Sequence, residues 1–162
     1  MTDLIRLTNV DKGYRSGQEK IAIFDKLTMT VPQGDFIAIM GPSGSGKTTL
    51  LNLLGGTDRP DAGTIEFDGR RLDQMNEGGL AKWRASNVGF IFQFYNLMPT
   101  LNAAQNVELP LMLTTLSAGK RKANVETALK VVGLADRAKH RPREMSGGQQ
   151  QRVAIARAIV AD

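Results

Sequence analysis

One segment of eight residues, 41–48, limits the folds open to this chain more than any other feature of its sequence. It reads GPSGSGKT and matches the pattern G-x-x-x-x-G-K-[ST] at every fixed position. The apolar run 36–40 before it is typical of a buried strand, and the stretch 48–54 after it is typical of a helix. Glycines let successive backbone N–H groups converge on phosphate oxygens, and the positive end of the helix dipole adds to the attraction. The segment therefore predicts a loop that binds a nucleoside triphosphate, a property that several protein classes share.

Two side chains of this loop carry its chemistry. Lys47 places a positive charge on the β and γ phosphates, and the hydroxyl of Thr48 can ligate Mg²⁺. Lys47 is therefore predicted to be catalytic, and Thr48 is predicted to be a metal ligand. The predicted nucleotide-binding residues of the loop are Gly41, Pro42, Ser43, Gly44, Ser45, Gly46, Lys47, Thr48 and Thr49.

Composition excludes several other chemistries and suits one globular domain. The 162 residues contain no cysteine and a single histidine, His140, which excludes disulfides, cysteine nucleophiles and histidine metal clusters. No apolar run approaches the ~20 residues that span a bilayer, and the first residues lack the pattern of a signal peptide. We therefore expect a cytoplasmic setting. The net charge of +5, much of it between Lys120 and Arg143, permits an anionic partner but selects none.

The rest of the pattern divides into a strand-rich first part and a helical later part. Residues 1–40 are predicted to form strands, with a turn at 32–35. Four strands are expected in particular, at 27–31, 36–40, 64–69 and 88–92. Helices are expected over 48–54, 102–133 and 149–161. The range 102–133 is interrupted by Pro110 and by a link over 117–122.

A second glycine-rich motif, MSGGQQQR over residues 145–152, precedes the last predicted helix. Ser146 and Gln149 have the spacing of a capping box. Gly147 and Gly148 leave the backbone N–H groups of the helix start uncovered, and such a start attracts anions. A simple capped helix is the alternative interpretation, because capping boxes are common.

Together, the two motifs resemble those of the ATP-binding-cassette (ABC) ATPases, in which a Ser-Gly-Gly-Gln signature follows the phosphate loop across an inserted helical lobe. The resemblance covers the chain from about Leu4 to Asp162. It implies an α/β fold with a P-loop NTPase core, an N-terminal antiparallel β subdomain and an inserted α-helical lobe. In this scheme residues 1–93 form the β-rich part and the core, 94–145 form the lobe, and 146–162 form the signature and its helix.

The resemblance also implies ATP and Mg²⁺ as ligands and adds site residues outside the phosphate loop. Tyr14 lies where the family keeps an aromatic residue that stacks on adenine, and simple packing near a strand end is the alternative. Gln93 lies where the family keeps a glutamine that touches Mg²⁺ and the attacking water, and a polar strand end is the alternative. The signature residues implied to contact ATP are Ser146, Gly147, Gly148 and Gln149.

Three partners or settings follow from the resemblance: a second ATPase subunit in a head-to-tail dimer, a membrane permease, and the inner face of the cell membrane. No nucleic acid is expected. The loop from Phe94 to Leu101 is the predicted permease contact because it carries large apolar side chains, and Tyr95→Asp is expected to weaken that contact. Packing of these side chains into the core is the alternative interpretation. The sequence of this loop, the run 106–111 and the run 40–56 are similar to the branch that serves lipoprotein release, macrolide export and antimicrobial-peptide resistance, which favours export.

The sequence also departs from the family pattern. The family continues with an aspartate that holds Mg²⁺, a glutamate that polarises water and a switch histidine, none of which has a counterpart here. His140 precedes the signature and is expected to be a solvated loop residue. We expect a fragment of a longer gene product that binds nucleotide without turning it over. The alternatives are a natural short form, a soluble ABC-type protein acting on DNA or ribosomes, and a non-catalytic nucleotide-binding module.

Overall fold

The computed structural model describes residues 3–17 and 19–161, apart from the side chain of Ser16. The chain folds as two compact units, Met1–Lys82 and Trp83–Asp162. The three-part division implied by the resemblance stays a prediction. Among the described residues, none of the helices combines the length and the apolar character that crossing a membrane requires.

An antiparallel sheet of four strands, in the order β2-β1-β3-β4, forms the framework of the first unit. Its strands are β1 (Asp3–Ser16), β2 (Glu19–Pro32), β3 (Ala62–Phe67) and β4 (Arg70–Arg71). The predicted strand 27–31 lies within β2, and β3 covers most of the predicted strand 64–69. Asp68 and Gly69, between β3 and β4, have φ of 47° and 72°, as a type I′ hairpin turn requires. These predictions are confirmed. They succeed because the alternating strand pattern and the Asp-Gly turn depend only on neighbouring residues.

Two helices accompany this sheet: α1 (Lys47–Leu54) and α2 (Glu77–Asn87), which spans the boundary between the units. Helix α1 ends at Gly55, as the glycine exit predicts. The buried apolar side chains of the first unit are Leu7, Val10, Leu50, Leu53, Ile65, Leu72 and Leu80. Each fully buried side chain of this size stabilises the fold by roughly 1.5–3 kcal/mol. Helix α1 is therefore anchored through its apolar face, while its first turn stays available.

The predicted strands at 36–40 and 88–92 are wrong. Neither segment is a strand, and Phe36 and Met40 are 93% and 88% exposed rather than buried. Phe90 and Phe92 stack on each other with ring centroids 5.8 Å apart. An apolar run becomes a strand only where neighbouring strands pair with its N–H and C=O groups. No described strand pairs with either segment.

The second unit is helical, with α3 (Ala103–Glu108), α4 (Ala118–Val131) and α5 (Gly147–Ile159). Short 3₁₀ helices cover Leu109–Leu113, Ala135–Arg137 and Pro142–Glu144. Pro110 interrupts the helical range as predicted. The predicted link over 117–122 is wrong beyond its first residue, because the Ser117 hydroxyl accepts from the N–H of Lys120 (3.4 Å) and caps α4. The last helix begins and ends two residues earlier than predicted.

The core of the second unit gathers side chains from all three helices and from the turns between them. Its fully buried apolar members are Ala103, Val107, Leu111, Leu129, Leu134, Val153 and Ala156. His140 is half-buried beside this core, which corrects the expectation of a solvated residue. Its carbonyl accepts from the N–H of Ala103 (2.9 Å), its Nε2 lies 3.2 Å from Nη1 of Arg137, and its Nδ1 is shielded from water. The backbone of His140 is thus tied to the start of α3, and a local sequence pattern does not reveal such a contact.

Candidate functional site

The phosphate loop, residues 41–48, curves back on itself before α1 begins. Gly44 and Gly46 have φ of 82° and 86°, in the left-handed region that favours glycine. The N–H of Ser45 donates to the carbonyl of Pro42 (3.3 Å), which closes a turn inside the loop. Residues 41–45 are exposed. The loop is therefore a preformed and accessible curve of backbone, as its sequence predicts.

Gly46 is fixed by its surroundings as well as by its backbone conformation. A Cβ atom at this position would lie 2.8 Å from Cγ2 of Ile23 and 3.1 Å from the ring of Phe24. Both neighbours belong to β2. The sheet therefore approaches the start of α1 so closely that only glycine fits there.

The ammonium group of Lys47 is held by the loop that precedes it. Its Nζ donates to the carbonyls of Gly41 (2.9 Å) and Pro42 (2.7 Å) and to Oγ of Ser45 (3.3 Å). Lysine carries three ammonium hydrogens, so these three acceptors orient the whole group. The positive charge is thus positioned at the loop before any ligand arrives.

The first turn of α1 presents unsatisfied donors. No side chain caps this helix, and the first N–H groups of a helix have no partner within it. Thr48 is exposed, whereas Thr49 is buried, so only the first of these hydroxyls is presented at the surface. Uncapped N–H groups and the Lys47 ammonium suit the oxygens of a polyphosphate, and the Thr48 hydroxyl is a hard oxygen ligand that suits Mg²⁺. The donor set fits a magnesium-bound nucleoside triphosphate.

Tyr14 lies on β1, in the same unit as the phosphate loop, and 41% of its surface is exposed. Its hydroxyl donates to Oδ2 of Asp58 (2.6 Å), and the Nζ of Lys12 lies 5.0 Å from its ring centroid. The hydrogen bond to Asp58 and partial burial both raise the pKa of Tyr14, and they outweigh the Thr49 hydroxyl, which lowers it. The phenol therefore stays protonated at neutral pH, and its ring is partly open to a ligand.

Gln93 begins an exposed turn in the second unit rather than ending a strand. The turn is closed by a hydrogen bond from the N–H of Tyr95 to the carbonyl of Phe92 (2.9 Å). Phe94 is 81% exposed and Met98 is 50% exposed, whereas Tyr95 is half-buried. The predicted permease contact thus presents Phe94 and Met98 more openly than the Tyr95 singled out by the sequence.

Asn106 on α3 is a residue that sequence reasoning did not single out, although it stands in the run that resembles the export branch. It is fully buried. Its Oδ1 accepts from the N–H of Met98 (2.7 Å), and its Nδ2 lies within 3.2 Å of the carbonyls of Met98, Leu101 and Asn102. One carboxamide therefore satisfies several main-chain groups of the exposed loop and fixes its path.

Arg157 on α5 fixes the same loop from another helix. Its Nη2 donates to the carbonyl of Tyr95 (2.6 Å) and its Nη1 to that of Asn96 (2.8 Å). Both of those residues have positive φ, 59° and 46°, which an ordinary loop avoids. Burial lowers the pKa of Arg157 from its usual value, and the guanidinium nevertheless stays charged. The guanidinium thus stabilises a strained turn directly after Gln93.

The signature motif forms the capped start of α5. Oγ of Ser146 accepts from the N–H of Gln149 (3.3 Å), and Oε1 of Gln149 accepts from the N–H of Ser146 (2.9 Å), so the predicted capping box is confirmed. A Cβ added at Gly147 or Gly148 would meet no atom within 4 Å. The two glycines therefore face open space at the positive end of a 13-residue helix.

The basic region between Lys120 and Arg143 is partly neutralised by carboxylates. Arg121 pairs with Glu108 (2.9 Å), Arg137 pairs with Asp136 (3.2 Å), and Lys122 lies 3.9 Å from Glu126. These pairs are exposed or half-buried and individually weak. They reduce the positive potential that the sequence alone suggests for this region.

The predicted site residues fall into two groups. The first unit holds Tyr14 and the phosphate loop with Thr49, which β1, β2 and α1 position. The second unit holds Gln93 and the residues 146–149 of the signature. The first group is a curved glycine-rich loop with an aromatic ring, and the second is a helix start with an exposed loop.

Comparison with known proteins identifies the family. The family model described as ABC transporter matches residues 24–162. The chain is 46% identical over 157 residues to an ABC transporter ATP-binding protein of Bacillus subtilis, YknY. That alignment covers 97% of this chain and 68% of the relative. It is also 46% identical to the macrolide export ATP-binding/permease protein MacB 1/2 of Paracoccus denitrificans, over 98% of this chain and 24% of that protein.

A solved structure agrees with this result. The ATP-binding cassette MJ0796, in a dimeric post-hydrolysis state bound to ADP and Pi, superimposes with a TM-score of 0.88 at 41% identity. The alignment covers 97% of this chain and 69% of that one. The fold class predicted from the two motifs is thereby confirmed. The chain belongs to the ABC transporter family, as an ATP-binding domain.

Proposed function

We propose that this chain, together with a second ATPase subunit, couples ATP binding and hydrolysis to a membrane permease in an exporter or an extraction complex. The observation that supports the proposal most directly is the phosphate loop. Its curved backbone, the uncapped start of α1 and the Lys47 ammonium held on loop carbonyls form one polyphosphate-binding surface. Relatives named as ATP-binding and macrolide-export proteins favour ATP as the nucleotide and export as the process.

Each residue of the loop has a distinct task in this proposal. The N–H groups of the first turn of α1 bind phosphate oxygens, and Lys47 contributes the charge that neutralises the β and γ phosphates. The Thr48 hydroxyl and the Gln93 carboxamide are the proposed Mg²⁺ ligands. Mg²⁺ held by these two side chains would supply positive charge that offsets the charge developing as the phosphoryl group leaves. Gln93 also orients water in this proposal, and its exposure in a turn leaves its carboxamide accessible.

The start of α5 is the proposed second phosphate contact, made to a nucleotide held by the partner ATPase subunit. Open space at Gly147 and Gly148 allows a ligand to approach the backbone there.

Nucleotide binding is tested by titrating the purified 162-residue chain with magnesium ATP in a calorimeter. We expect one site per chain, together with an increase in thermal stability that follows from preferential binding to the folded state. Absence of both heat and thermal shift at millimolar nucleotide would contradict the proposal.

Permease binding is tested on the exposed loop after Gln93. Phe94→Asp is expected to weaken association at least tenfold, because it places a charge where an apolar side chain is 81% exposed. The matched control is Leu113→Asp, which alters an apolar side chain of the same unit that is 82% exposed. The probe is the detergent-solubilised permease part of the Paracoccus denitrificans macrolide exporter. Equal binding of both variants would remove the loop from the proposal.

A role in binding nucleic acid is disfavoured by the charge pairs of the basic region. Three of its cations lie beside carboxylates, which leaves fewer free charges for phosphate contacts. A nucleic-acid-binding protein would show affinity that falls steeply with salt. We expect no such salt-dependent binding to duplex DNA or to ribosomal RNA in a filter-binding assay.

A further inference from the structure

The surroundings of Tyr14 contain a buried cation that nothing in the phosphate-binding scheme uses. Lys12 is only 8% exposed. Its Nζ donates to Oδ1 of Asp58 (2.6 Å) and to the carbonyl of Arg59 (2.8 Å), and it lies 5.0 Å from the ring centroid of Tyr14. At that distance the ammonium and the ring attract each other. Lys12 therefore holds the Tyr14 ring from one side while its own charge is neutralised by Asp58.

Asp58 holds the same ring by its edge. Its Oδ2 accepts a hydrogen bond from the Tyr14 hydroxyl (2.6 Å). Its Oδ1 accepts from Nζ of Lys12 (2.6 Å) and from the N–H of Arg59 (2.7 Å). Burial raises the pKa of Asp58, but the hydrogen bonds from Lys12 and Tyr14 outweigh it and leave the pKa below its usual value. The carboxylate is thus ionised at neutral pH and anchors two side chains at once.

Asp58 is in turn attached to the exit of α1. The N–H groups of Thr57 and Asp58 both donate to the carbonyl of Asn52, at 2.9 and 3.2 Å. Helix α1 starts at the phosphate loop and spans eight residues, a rise of about 12 Å. The Tyr14 hydroxyl is therefore linked, through Asp58, to the far end of the helix whose first turn receives phosphate.

Resting on the proposed function, we propose that Asp58 and Lys12 are positioning residues for nucleotide binding: they fix the Tyr14 ring relative to the phosphate loop so that a purine base can stack on it. Lys12 covers one face of the ring, and the exposed part of Tyr14 is left for the base. Base stacking contributes most to affinity when the aromatic side chain loses little conformational entropy on binding. A ring that is already held by its hydroxyl and by one face has little of that entropy to lose.

Comparing two ligands separates this role from a merely structural one. Magnesium ATP requires both the phosphate loop and the base-stacking ring, whereas magnesium tripolyphosphate requires only the loop. The variants are Tyr14→Phe, which keeps the ring and removes the hydroxyl, and Lys12→Met, which removes the cation. The matched control is Asp68→Asn, at a turn position where asparagine tolerates the positive φ of 47°.

We expect Tyr14→Phe and Lys12→Met each to weaken ATP binding about threefold to tenfold, the loss of one anchoring interaction. Tripolyphosphate binding should change less than twofold, so the ratio of the two affinities falls. Asp68→Asn should leave both affinities unchanged. Circular dichroism melting confirms folding, and Tyr14→Phe retains the Lys12–Asp58 ion pair if Lys12→Met does not fold.

Three outcomes would overturn the inference, and they can be told apart. An unchanged affinity ratio in Tyr14→Phe overturns the positioning role and leaves the phosphate loop intact. Equal affinity of the unsubstituted chain for ATP and tripolyphosphate overturns base stacking on Tyr14. Failure of the unsubstituted chain to bind either ligand overturns the proposed function, and the inference falls with it.

Discussion

Helices α1 and α5 both start on glycine-rich segments, and the two starts satisfy their backbone donors differently. Helix α1 follows Gly46, which is in the left-handed conformation and offers no side-chain cap. Helix α5 follows Ser146, whose hydroxyl and the Gln149 carboxamide form a reciprocal capping box. Both starts carry the positive end of a helix dipole. Of these two starts, only that of α1 has a lysine ammonium, Nζ of Lys47, which is hydrogen-bonded to the loop that precedes the helix.

The two starts therefore differ in what an anion would add: α1 has no side-chain cap, whereas α5 is capped without any ligand. At α1 a bound phosphate supplies partners that the chain does not provide, so binding satisfies donors. At α5 one donor already has its partner in Ser146, and an anion would meet only the remaining N–H groups near Gly147 and Gly148. We therefore expect affinity for nucleotide in the isolated chain to reside at α1. Three pairs of substitutions test this contrast, and an acid experiment then compares a carboxylate of each unit.

The largest effect is expected for Lys47→Ala. Removing a charge-assisted set of hydrogen bonds of about 3 kcal/mol weakens ATP binding by about 100-fold. Calorimetric titration with magnesium ATP measures the change. Lys120→Ala, at an exposed position in the first turn of α4, is the control and should bind as the unsubstituted chain does. A similar loss in both variants would mean that general positive charge, rather than the loop, attracts the nucleotide.

Gly46→Ala is expected to destabilise the first unit by about 2 kcal/mol, because a residue with a Cβ is strained at φ 86°. The new Cβ would also lie 2.8 Å from Ile23 and 3.1 Å from Phe24. Chemical denaturation measures the loss. The same change at α5, Gly148→Ala, meets open space and should alter stability by less than about 0.5 kcal/mol. Equal costs at the two positions would contradict the description of α1 as the crowded start.

Ser146→Ala is expected to cost about 1 kcal/mol of stability, the usual value of an N-cap side chain. The loss has a specific cause, namely that the N–H of Gln149 is left without its partner. Ser146→Asp keeps an acceptor at the same place and should retain most of the stability. If the alanine and aspartate variants have the same melting temperature, the capping box does not stabilise α5.

The smallest effect is expected from acid. Arg71, whose guanidinium donates to Oδ1 and Oδ2 of Asp73, holds the pKa of that carboxyl below its usual value of 3.8. A folded-state pKa that is lowered stabilises the fold above the unfolded value and loses its effect as pH falls through the folded value. The free energy of unfolding should therefore fall below about pH 4. Asp73→Asn should flatten that decline.

The control for the acid experiment is Glu144→Gln, next to α5. The N–H of Arg141 lowers the pKa of Glu144, but this carboxylate is exposed to water, so its contribution is smaller. If Glu144→Gln reduced the acid-induced loss of unfolding free energy more than Asp73→Asn does, the expected order of the two carboxylates would be wrong.

Local signals explain what could be predicted. The glycines and lysine of residues 41–48, the Ser146–Gln149 capping box and the turn at Asp68 and Gly69 all rest on contacts within a few residues. The strand predicted at 36–40 failed because pairing with other strands, which its sequence does not encode, decides whether an apolar run is a strand. Asn106 could not be recognised either, because its role is to satisfy carbonyls of a loop that precedes it.

The sequence by itself determined the curved glycine-rich loop at 41–48 and the capped signature helix, because backbone conformation, glycine freedom and capping act over short spans of chain. Only the tertiary structure decided how Tyr14 is held, since Lys12 and Tyr14 on β1 meet Asp58 across 44 to 46 residues of sequence. The same is true of Arg157, which reaches the carbonyl of Tyr95 across 62 residues. Such contacts depend on which elements the fold brings together, and that depends on the packing of the whole unit.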